Sequence, residues 1–173
     1  MKTCCFTGHR PIFFPWKDNL SDKRAQKLIL ELKCEIENAI NDGYTKFLWG
    51  GALGVDTWAA QCVMSAKKKK TDIKLAAVLP YKEYNNFVTD FRYLSVINHS
   101  DEIIIVGAHK SMRMLQIRDR YMIDNSGRII AVYDERAHIK SGTCRALCYA
   151  KEKNIEIRQI KWMDFCKRIE NHR

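Results

Sequence analysis

The stretch from Lys46 to Asp56 reads KFLWGGALGVD and decides the fold. A short apolar run, Phe47 to Trp49, breaks at Gly50 and Gly51 and passes directly into an amphipathic segment. In α/β proteins, a strand that ends in glycine and feeds a helix lets the backbone approach a phosphate beside the helix N-terminus, where N–H groups are unpaired. This corner therefore predicts a binding site at the carboxyl end of a strand.

Two further corners have the same layout. The run Thr3 to Phe6 is followed by TGHRP (7–11), and the run Ile129 to Asp134 is followed by a loop that reaches Ser141-Gly142-Thr143. Because the carboxyl ends of parallel strands meet at one edge of a sheet, the three corners predict a shared pocket for a phosphate-bearing nucleotide.

Strand-like and helix-like segments alternate along the whole chain. Together they predict a single α/β domain over 1–173, with a mostly parallel sheet and helices on both faces. The predicted strands are Thr3–Phe6, Lys46–Trp49, Lys74–Leu79, Glu102–Val106, Arg128–Tyr133 and Ile155–Ile160. The predicted helices run from an N-cap at Ser21 to Gly43, over Val55–Lys69 and Tyr84–Asn98, from a cap at Ser111 to Asn125, and over Gly142–Lys153 and Met163–Ile169.

The composition predicts a soluble protein of the cytoplasm. Apolar residues make up 46% of the 173 residues and charged residues 29%, which are values typical of a globular domain. The start of the chain does not resemble a signal peptide, and the longest apolar runs, such as Ile103 to Val106, are too short to span a bilayer.

The seven cysteines indicate reduced thiols and not a disulfide framework, because their number is odd and their positions are apolar. The chain has no CxxC pair, so we expect no metal site. Cys144 and Cys148 lie four residues apart and are expected to be small buried apolar side chains.

The net charge of +10, from 30 Lys and Arg against 20 Asp and Glu, favours anionic partners such as nucleotides, nucleic acid or an acidic protein. The run Lys67 to Lys70 is interpreted as the solvated end of a helix. The remaining charge is dispersed and is not interleaved with aromatic residues, which disfavours a stripe for single-stranded DNA.

Several side chains at the corners have two interpretations. Asp56 can accept ribose hydroxyls or favour the helix dipole. The segment Thr7-Gly8-His9-Arg10 can hold a phosphate through a hydroxyl, a close backbone and the Arg10 fork, or it can form a tight turn with a surface arginine. His9 is also a candidate general base.

Two motifs later in the sequence also have two interpretations each. In RDRYMID (118–124), Arg118 and Met122 share a helix face beside Asp119, so Arg118 either neutralises a phosphate or belongs to an exposed Asp–Arg ladder. Ser141-Gly142-Thr143 is either an anion nest or an ordinary helix cap.

Taken together, TGHRP, GGALGVD-x-WAA, RDRYMID, AVYD and SGT resemble the SLOG superfamily, and within it the small stand-alone YpsA-like branch. The resemblance covers about Thr3 to Lys153. It implies a Rossmann-like fold related to the DNA-processing protein DprA and to the cytokinin-activating LOG (Lonely Guy) enzymes. It also implies a site for a nucleotide or nucleotide-derived ligand at the carboxyl ends of the strands. The ligand-binding positions expected from these motifs are Thr7, Gly8, His9, Arg10, Gly50, Gly51, Ala52, Gly54, Asp56, Pro80, Arg118, Asp119, Met122, Ser141, Gly142 and Thr143.

The chain departs from the LOG-type enzymes at one position. Their PGGxGTxxE motif carries a glutamate that serves cleavage, whereas the matching stretch here, Lys140 to Ala146, places Ala146 at that position. Whether the chain is an enzyme is therefore left open. His9, Asp56 and Asp119 remain as candidate catalytic groups, and Glu83 is a further carboxylate that could substitute.

Three functions follow as hypotheses. The first is a sensor or regulator that binds an NAD-like or ADP-ribose-like ligand. The second is a hydrolase of an N-glycosidic or phosphate bond in a nucleotide, and the third is DprA-like binding of single-stranded DNA. We expect no membrane partner. The aromatic cluster Phe13, Phe14 and Trp16 is interpreted as a homo-oligomer surface, a lid over the pocket or a loop packed on its own domain.

Overall fold

Six parallel strands form one sheet through the middle of the molecule. The computed structural model describes residues 1–86 and 88–166. Its strands are β1 (Lys2–Gly8), β2 (Tyr44–Trp49), β3 (Lys74–Leu79), β4 (Glu102–Ile105), β5 (Arg128–Val132) and β6 (Glu156–Ile160). Their order is β4-β3-β2-β1-β5-β6, and each neighbouring pair is parallel. The predicted α/β class with a parallel sheet is confirmed.

Helices cover both faces of the sheet. Within the described residues they are α1 (Lys23–Asn41), α2 (Val55–Lys67), α3 (Phe91–Asn98), α4 (Met112–Asp124) and α5 (Gly142–Glu152). α1, α2 and α3 pack on one face, whereas α4 and α5 pack on the other. The reason is that the chain moves outward from β1 to β4 and then returns to β5, and right-handed crossovers in opposite directions place helices on opposite faces.

The inner surfaces match the apolar periodicity of the sequence. In α1, Leu28, Leu32 and Ile36 are buried, and Ile40 packs against the same core while partly exposed. All five residues of β5 are buried, as expected for a strand covered on both faces. Among the described residues, no helix is both long and apolar enough to cross a bilayer.

The strand order reverses between β1 and β5. The chain leaves β1 toward β2 on one side, and β5 pairs with β1 on the other. In open parallel sheets, the loops that leave two such strands diverge and open a crevice at their carboxyl ends. The fold therefore places the β1–α1 and β5–α5 loops on either side of one crevice.

Two of the predicted helix starts are wrong. α1 is capped by Asp22, whose side chain accepts a hydrogen bond from the Arg24 N–H, and not by Ser21. The helix predicted over Tyr84–Asn98 is a 3₁₀ turn over Lys82–Asn85, and α3 begins only at Phe91. Asp90 accepts hydrogen bonds from two amides of the first turn of α3, so this cap overrides the helical pattern before it.

The other predicted ends of strands and helices differ less from those in the structure. β1 extends through Thr7 and Gly8, because both residues pair with β5, so these two residues end a strand and do not begin a loop. Most remaining boundaries agree within one or two residues. The last predicted helix, Met163–Ile169, lies partly outside the described residues.

The prediction for the two cysteines of α5 is wrong. Cys148 is exposed and Cys144 is only half-buried, whereas Cys4, Cys5 and Cys62 are buried as expected. α5 turns Ala146, Leu147 and Ala150 toward the sheet, so the face that carries Cys144 and Cys148 points away from it.

Candidate functional site

A cavity of about 440 Å³ lies at the carboxyl end of β1, beside the point where the strand order reverses. Four segments line it: the end of β1 with the loop that follows, the β2–α2 corner, one face of α4, and the β5–α5 loop. The volume falls within the range of roughly 300–1,000 Å³ that is usual for small-molecule sites.

Most of the positions predicted from the three corners lie together in this cavity. Its lining includes Thr7, Gly8, His9, Arg10, Ala52, Asp56, Arg118, Asp119, Ser141, Gly142 and Thr143. The three candidate catalytic groups, His9, Asp56 and Asp119, are among them. Whether these residues contact a ligand stays a prediction.

Five predicted positions lie outside the lining, and two of them are glycines that shape it. A side chain at Gly50 would collide with the Arg118 guanidinium and approach the Asp56 carboxylate to 2.9 Å. Gly54 has φ of 95°, and a Cβ there would lie 2.8 Å from the carbonyl oxygen of His9. Both residues are therefore required by close packing behind the cavity wall.

The other three are held by the core or by a neighbouring loop. Gly51 faces the side chains of Leu79 and Tyr93, and Pro80 is buried at the end of β3. Met122 is 3% exposed and packs in the core between the sheet and α4. Met122 lies one helical turn after Arg118 on α4, and its side chain contacts the core and not the cavity.

A buried group of charges forms the polar wall of the cavity. Arg118 is 6% exposed, and its Nε donates a hydrogen bond to Oδ1 of Asp119 at 2.8 Å. Asp56 is buried at the first turn of α2, where its Oδ2 accepts a hydrogen bond from the Gly50 N–H at 3.1 Å. The interpretation of Arg118 as part of an exposed ladder is wrong.

Burial sets the ionisation of these carboxyl groups. It raises the pKa of Asp56 to about 6, and the neighbouring Asp119 charge adds to the rise, although Arg118 opposes it. The pKa of Asp119 is also raised by burial, against the effect of Arg118. With a pKa of about 6, Asp56 takes up and releases a proton closer to neutral pH than an ordinary aspartate does.

Three residues of the cavity carry buried polar atoms that have no hydrogen-bond partner within the described part of the chain. They are Nη1 of Arg118, Oγ of Ser141 and both ring nitrogens of His9. Burying such an atom without a partner costs about 1–3 kcal/mol. Their concentration around one cavity therefore gives it unused capacity for hydrogen bonds to a ligand.

The N-terminus of α5 adds to this capacity. Ser141 occupies the N-cap position, but its side chain makes no capping hydrogen bond. Ser111, at the same position of α4, accepts a hydrogen bond from the Met114 N–H at 3.3 Å. The positive end of the α5 dipole faces the part of the cavity lined by Ser141, Gly142 and Thr143, and the Ser141 side chain does not cap the N–H groups there.

His9 is held in an aromatic cage. Its ring centroid lies 5.7 Å from those of Phe13 and Tyr133, and 6.1 Å from that of Phe14. Burial lowers the pKa of His9, which favours the neutral ring. A neutral imidazole offers one donor and one acceptor, so His9 can form hydrogen bonds with uncharged polar groups of a ligand.

The aromatic loop divides between core and cavity. Phe14 and Trp16 are 2% and 5% exposed, and both pack against Trp162. This packing agrees with the interpretation of a loop packed on its own domain. Phe13 is 43% exposed and lines the cavity, so it stands where an aromatic group of a ligand could stack.

Three cations at the cavity form no salt bridge with the described residues, although Arg145 is close enough to Asp119 to lower the pKa of that carboxyl group. Within residues 1–86 and 88–166, Arg10, Lys140 and Arg145 line the cavity and have no carboxylate oxygen within 4.0 Å. Arginines elsewhere, such as Arg92 and Arg136, each contact two carboxylates. The electrostatic environment at the cavity mouth therefore favours an anion.

Sequence reasoning missed part of the lining. The missed residues are Phe6, Met112, Leu115, Gln116, Lys140 and Arg145, whereas Phe13 belongs to the aromatic cluster for which a lid over the pocket is one of the interpretations. A projection of α4 would have found three of them, because Met112, Leu115 and Gln116 share a helix face with Asp119. Of the carboxylates named as catalytic alternatives, Glu83 is exposed and lies outside the cavity.

The chain matches the YpsA family model, described as the YspA SLOG family, over residues 4–165. It is 36% identical to the uncharacterized SPbeta prophage-derived protein YoqJ of Bacillus subtilis (strain 168) over 144 residues, which cover 72% of this chain and 82% of that protein. It is 27% identical to a UPF0398 protein of Bacillus cereus (strain B4264) over 163 residues, covering 91% and 86% of the two chains.

The fold is similar to that of DNA processing protein A (DprA). The Streptococcus pneumoniae protein superposes with a TM-score of 0.63 at 14% identity, covering 99% of this chain and 56% of that one. DprA of Helicobacter pylori, which binds single-stranded DNA, gives 0.62 at 18% identity, with 92% and 65% covered. This chain thus spans less than two thirds of either DprA chain. The family match over residues 4–165 and the 36% identity to YoqJ show that the chain belongs to the YpsA family of SLOG proteins.

Proposed function

We propose that the cavity binds a phosphorylated nucleotide or a nucleotide-derived ligand of the NAD or ADP-ribose type, and that the protein acts as a sensor or regulator. The observation that carries this proposal is the coincidence of unpartnered buried polar atoms, unpaired cations and an uncapped helix N-terminus in one cavity. Each of these features is complementary to phosphate.

The parts of the cavity suit different parts of such a ligand. Arg10, Lys140 and the N-terminus of α5 are complementary to phosphate oxygens. Asp56 and neutral His9 can form hydrogen bonds with hydroxyl groups of a sugar. Phe13 at the rim can stack on a planar base.

Calorimetric titration with AMP, ADP-ribose and NAD tests the proposal. We expect a dissociation constant below millimolar for at least one of them. Loss of a charge-assisted hydrogen bond costs about 1.5–3 kcal/mol, so Arg10→Ala and Lys140→Ala should each weaken binding by roughly 10- to 100-fold. Arg113→Ala is the matched control, because Arg113 is exposed on α4 and lies outside the cavity lining. Binding weaker than millimolar for all three ligands would overturn the proposal.

A second function, hydrolysis of an N-glycosidic or phosphate bond, is favoured by the ionisation of Asp56. A carboxyl group with a pKa near 6 inside a cavity is suited to accept a proton from an attacking water. Chromatography after incubation with NAD and nucleoside phosphates would reveal turnover. Asp56→Asn should then abolish turnover and retain ligand binding, whereas unchanged substrates would favour the sensor.

Binding of single-stranded DNA is the third candidate, favoured by the likeness to DprA of Helicobacter pylori. The unpaired cations that suit a nucleotide also suit the phosphates of a strand. A salt titration separates the two ligands, because oligonucleotide affinity should fall steeply with salt in proportion to the number of phosphates contacted. Mononucleotide affinity should fall much less.

A further inference from the structure

A surface groove between α4 and α5 adjoins the cavity. Its volume is about 250 Å³, and it shares Gln116, Asp119 and Arg145 with the cavity lining. On α4 the groove follows Gln116, Asp119, Arg120 and Ile123, which have the spacing of one helix face. The two spaces are therefore neighbours, with the side chains of Gln116, Asp119 and Arg145 between them.

The chemistry of the groove differs from that of the cavity. Its floor contains Ile123, Ala146 and the thiol groups of Cys144 and Cys148. Cys148 is exposed and Cys144 is half-buried, so a ligand in the groove can reach these two weakly polar thiols, which lie beside the buried Ile123 and Ala146. Such a surface suits an uncharged planar group better than a phosphate.

The side chains at the edge of the groove strengthen this assignment. The Arg120 guanidinium lies over the Tyr149 ring at 5.0 Å from its centroid, and the Tyr149 hydroxyl donates a hydrogen bond to Asp124 at 2.9 Å. Tyr149 is therefore held in place, and Arg120 presents a flat cationic face. A guanidinium plane of this kind stacks on the face of a nucleic base. Glu152, at the far end, disfavours a second anion there.

We propose that the groove between α4 and α5 is a second subsite, which holds the second base of a dinucleotide ligand. The inference rests on the proposed function of the cavity. The phosphates and the first nucleoside occupy the cavity. The part of the ligand that connects the phosphates to the second base passes Asp119 and Arg145, which line both spaces. The second base lies on the apolar floor beside Arg120. The protein therefore distinguishes a dinucleotide from a ligand that lacks the second base.

Two probes that differ in the second base test this assignment. ADP-ribose has both phosphates and both sugars but one base, whereas NADH also carries the dihydronicotinamide ring, which is uncharged. We expect NADH to bind the unmodified protein about tenfold more tightly than ADP-ribose, because stacking of one base is worth roughly that factor or more. Cys148→Phe fills the groove and should abolish this difference, while the affinity for ADP-ribose stays within twofold.

The chain offers a matched control for the filling variant. Cys34 is also an exposed cysteine on a helix, but it lies on α1, on the opposite face of the sheet. Cys34→Phe should leave both affinities unchanged. Arg120→Ala is the second variant if Cys148→Phe does not fold, and Arg113→Ala is its control on the same helix. Arg120→Ala should reduce the preference for NADH without weakening the binding of ADP-ribose.

Four other outcomes would overturn the inference, and each would identify a different reason. If NADH and ADP-ribose bind equally to the unmodified protein, the proposed second subsite is wrong, whereas the proposed binding to the cavity is not affected. If Cys148→Phe weakens both ligands equally, the groove is not a separate subsite. If it changes the sedimentation mass instead, the groove belongs to a subunit interface. If neither ligand binds, the proposed function fails and the subsite fails with it.

Discussion

Two buried arginines stand at opposite ends of the sheet, each beside two carboxylates. Arg128 begins β5, at the amino ends of the strands, and contacts Asp42 at 2.6 Å and Glu156 at 2.7 Å. Arg118 lies in the cavity at the carboxyl ends, with Asp119 at 2.8 Å and Asp56 close enough to influence its charge. We call these groups the amino-end cluster and the carboxyl-end cluster.

The pKa of Asp42 in the amino-end cluster and the pKa of Asp56 in the carboxyl-end cluster are shifted in opposite directions. In the amino-end cluster, the hydrogen bond from Arg128 lowers the pKa of Asp42, whose side chain is 51% exposed. In the carboxyl-end cluster, burial raises the pKa of Asp56 in spite of Arg118. An ionised aspartate beside an arginine therefore stabilises the fold at Asp42, where water reaches the carboxylate. At Asp56, where water does not reach it, the ionised carboxylate lowers stability. Such a retained cost is typical of a functional site.

The largest expected effect comes from Arg118→Met. This change leaves the Asp56 charge buried without its compensating cation, so the free energy of unfolding at pH 7 should fall by about 3–5 kcal/mol. Urea denaturation at pH 7 and pH 5 measures it. The loss should be smaller at pH 5, because Asp56 is then largely protonated. An equal loss at both pH values would show that packing, and not charge, is the cause.

Asp56→Asn tests the sign of the pKa shift. The folded-state pKa of about 6 exceeds the ordinary value of 3.8, so the folded protein binds this proton more tightly than the unfolded chain. The contribution to stability is full below pH 4 and is lost as the pH rises through 6. Asparagine does not titrate, so the variant should gain on the order of 3 kcal/mol relative to the unmodified protein between pH 4 and 7.

The amino-end cluster supplies the control for that experiment. The pKa of Asp42 is lowered, so its contribution is present above the ordinary value of 3.8 and is lost as the pH falls through the folded-state pKa. Asp42→Asn should therefore lose stability relative to the unmodified protein as the pH rises from acid to neutral. For each variant, the measured quantity is the difference in unfolding free energy from the unmodified protein. If this difference changes with pH in the same direction for Asp42→Asn and Asp56→Asn, the comparison is contradicted.

Arg128→Met should have a smaller effect than Arg118→Met. Its two carboxylate partners are 51% and 39% exposed, so water can solvate them when the arginine is removed. We expect a loss of about 2 kcal/mol, the usual value of hydrogen bonds to charged groups, with unchanged affinity for ADP-ribose. A loss as large as that of Arg118→Met would show that exposure of the acids does not decide the cost.

The smallest expected effects concern the two serine caps. Ser111→Ala removes the capping hydrogen bond of α4 and should lower the free energy of unfolding by about 1 kcal/mol. Ser141 makes no such bond, so Ser141→Ala should change stability by less than about 0.5 kcal/mol. Thermal denaturation compares the two. Only Ser141→Ala should weaken ADP-ribose, and equal stability losses would show that Ser141 is an ordinary cap.

The glycine corners predicted the approximate ends of three strands and half of the residues that line the cavity. The pattern at Gly50 to Asp56 indicated a strand, a break and a helix, and the structure has all three. Thr7 and Ser141 lie far apart in the sequence, but the parallel order of β1 and β5 brings both to the cavity. The local sequence was sufficient here because glycine and N-cap residues that directly follow an apolar run mark the end of a strand and the start of a helix.

Other features depended on contacts that no local pattern contains. The helical pattern over Tyr84–Asn98 gave way to the cap at Asp90. Met122 shares a helix with Arg118, yet one faces the core and the other the cavity. The exposure of Cys148 followed from which face of α5 meets the sheet.

The sequence by itself determined the alternation of strands and helices, the family and the three corners, because short-range periodicity and backbone conformation dictate them. Only the tertiary structure decided which charges are compensated. Arg118 and Arg128 are the same residue type, and each has an acid near it in space. Whether water reaches that acid depends on packing between distant segments, and this access sets the direction of the pKa shift.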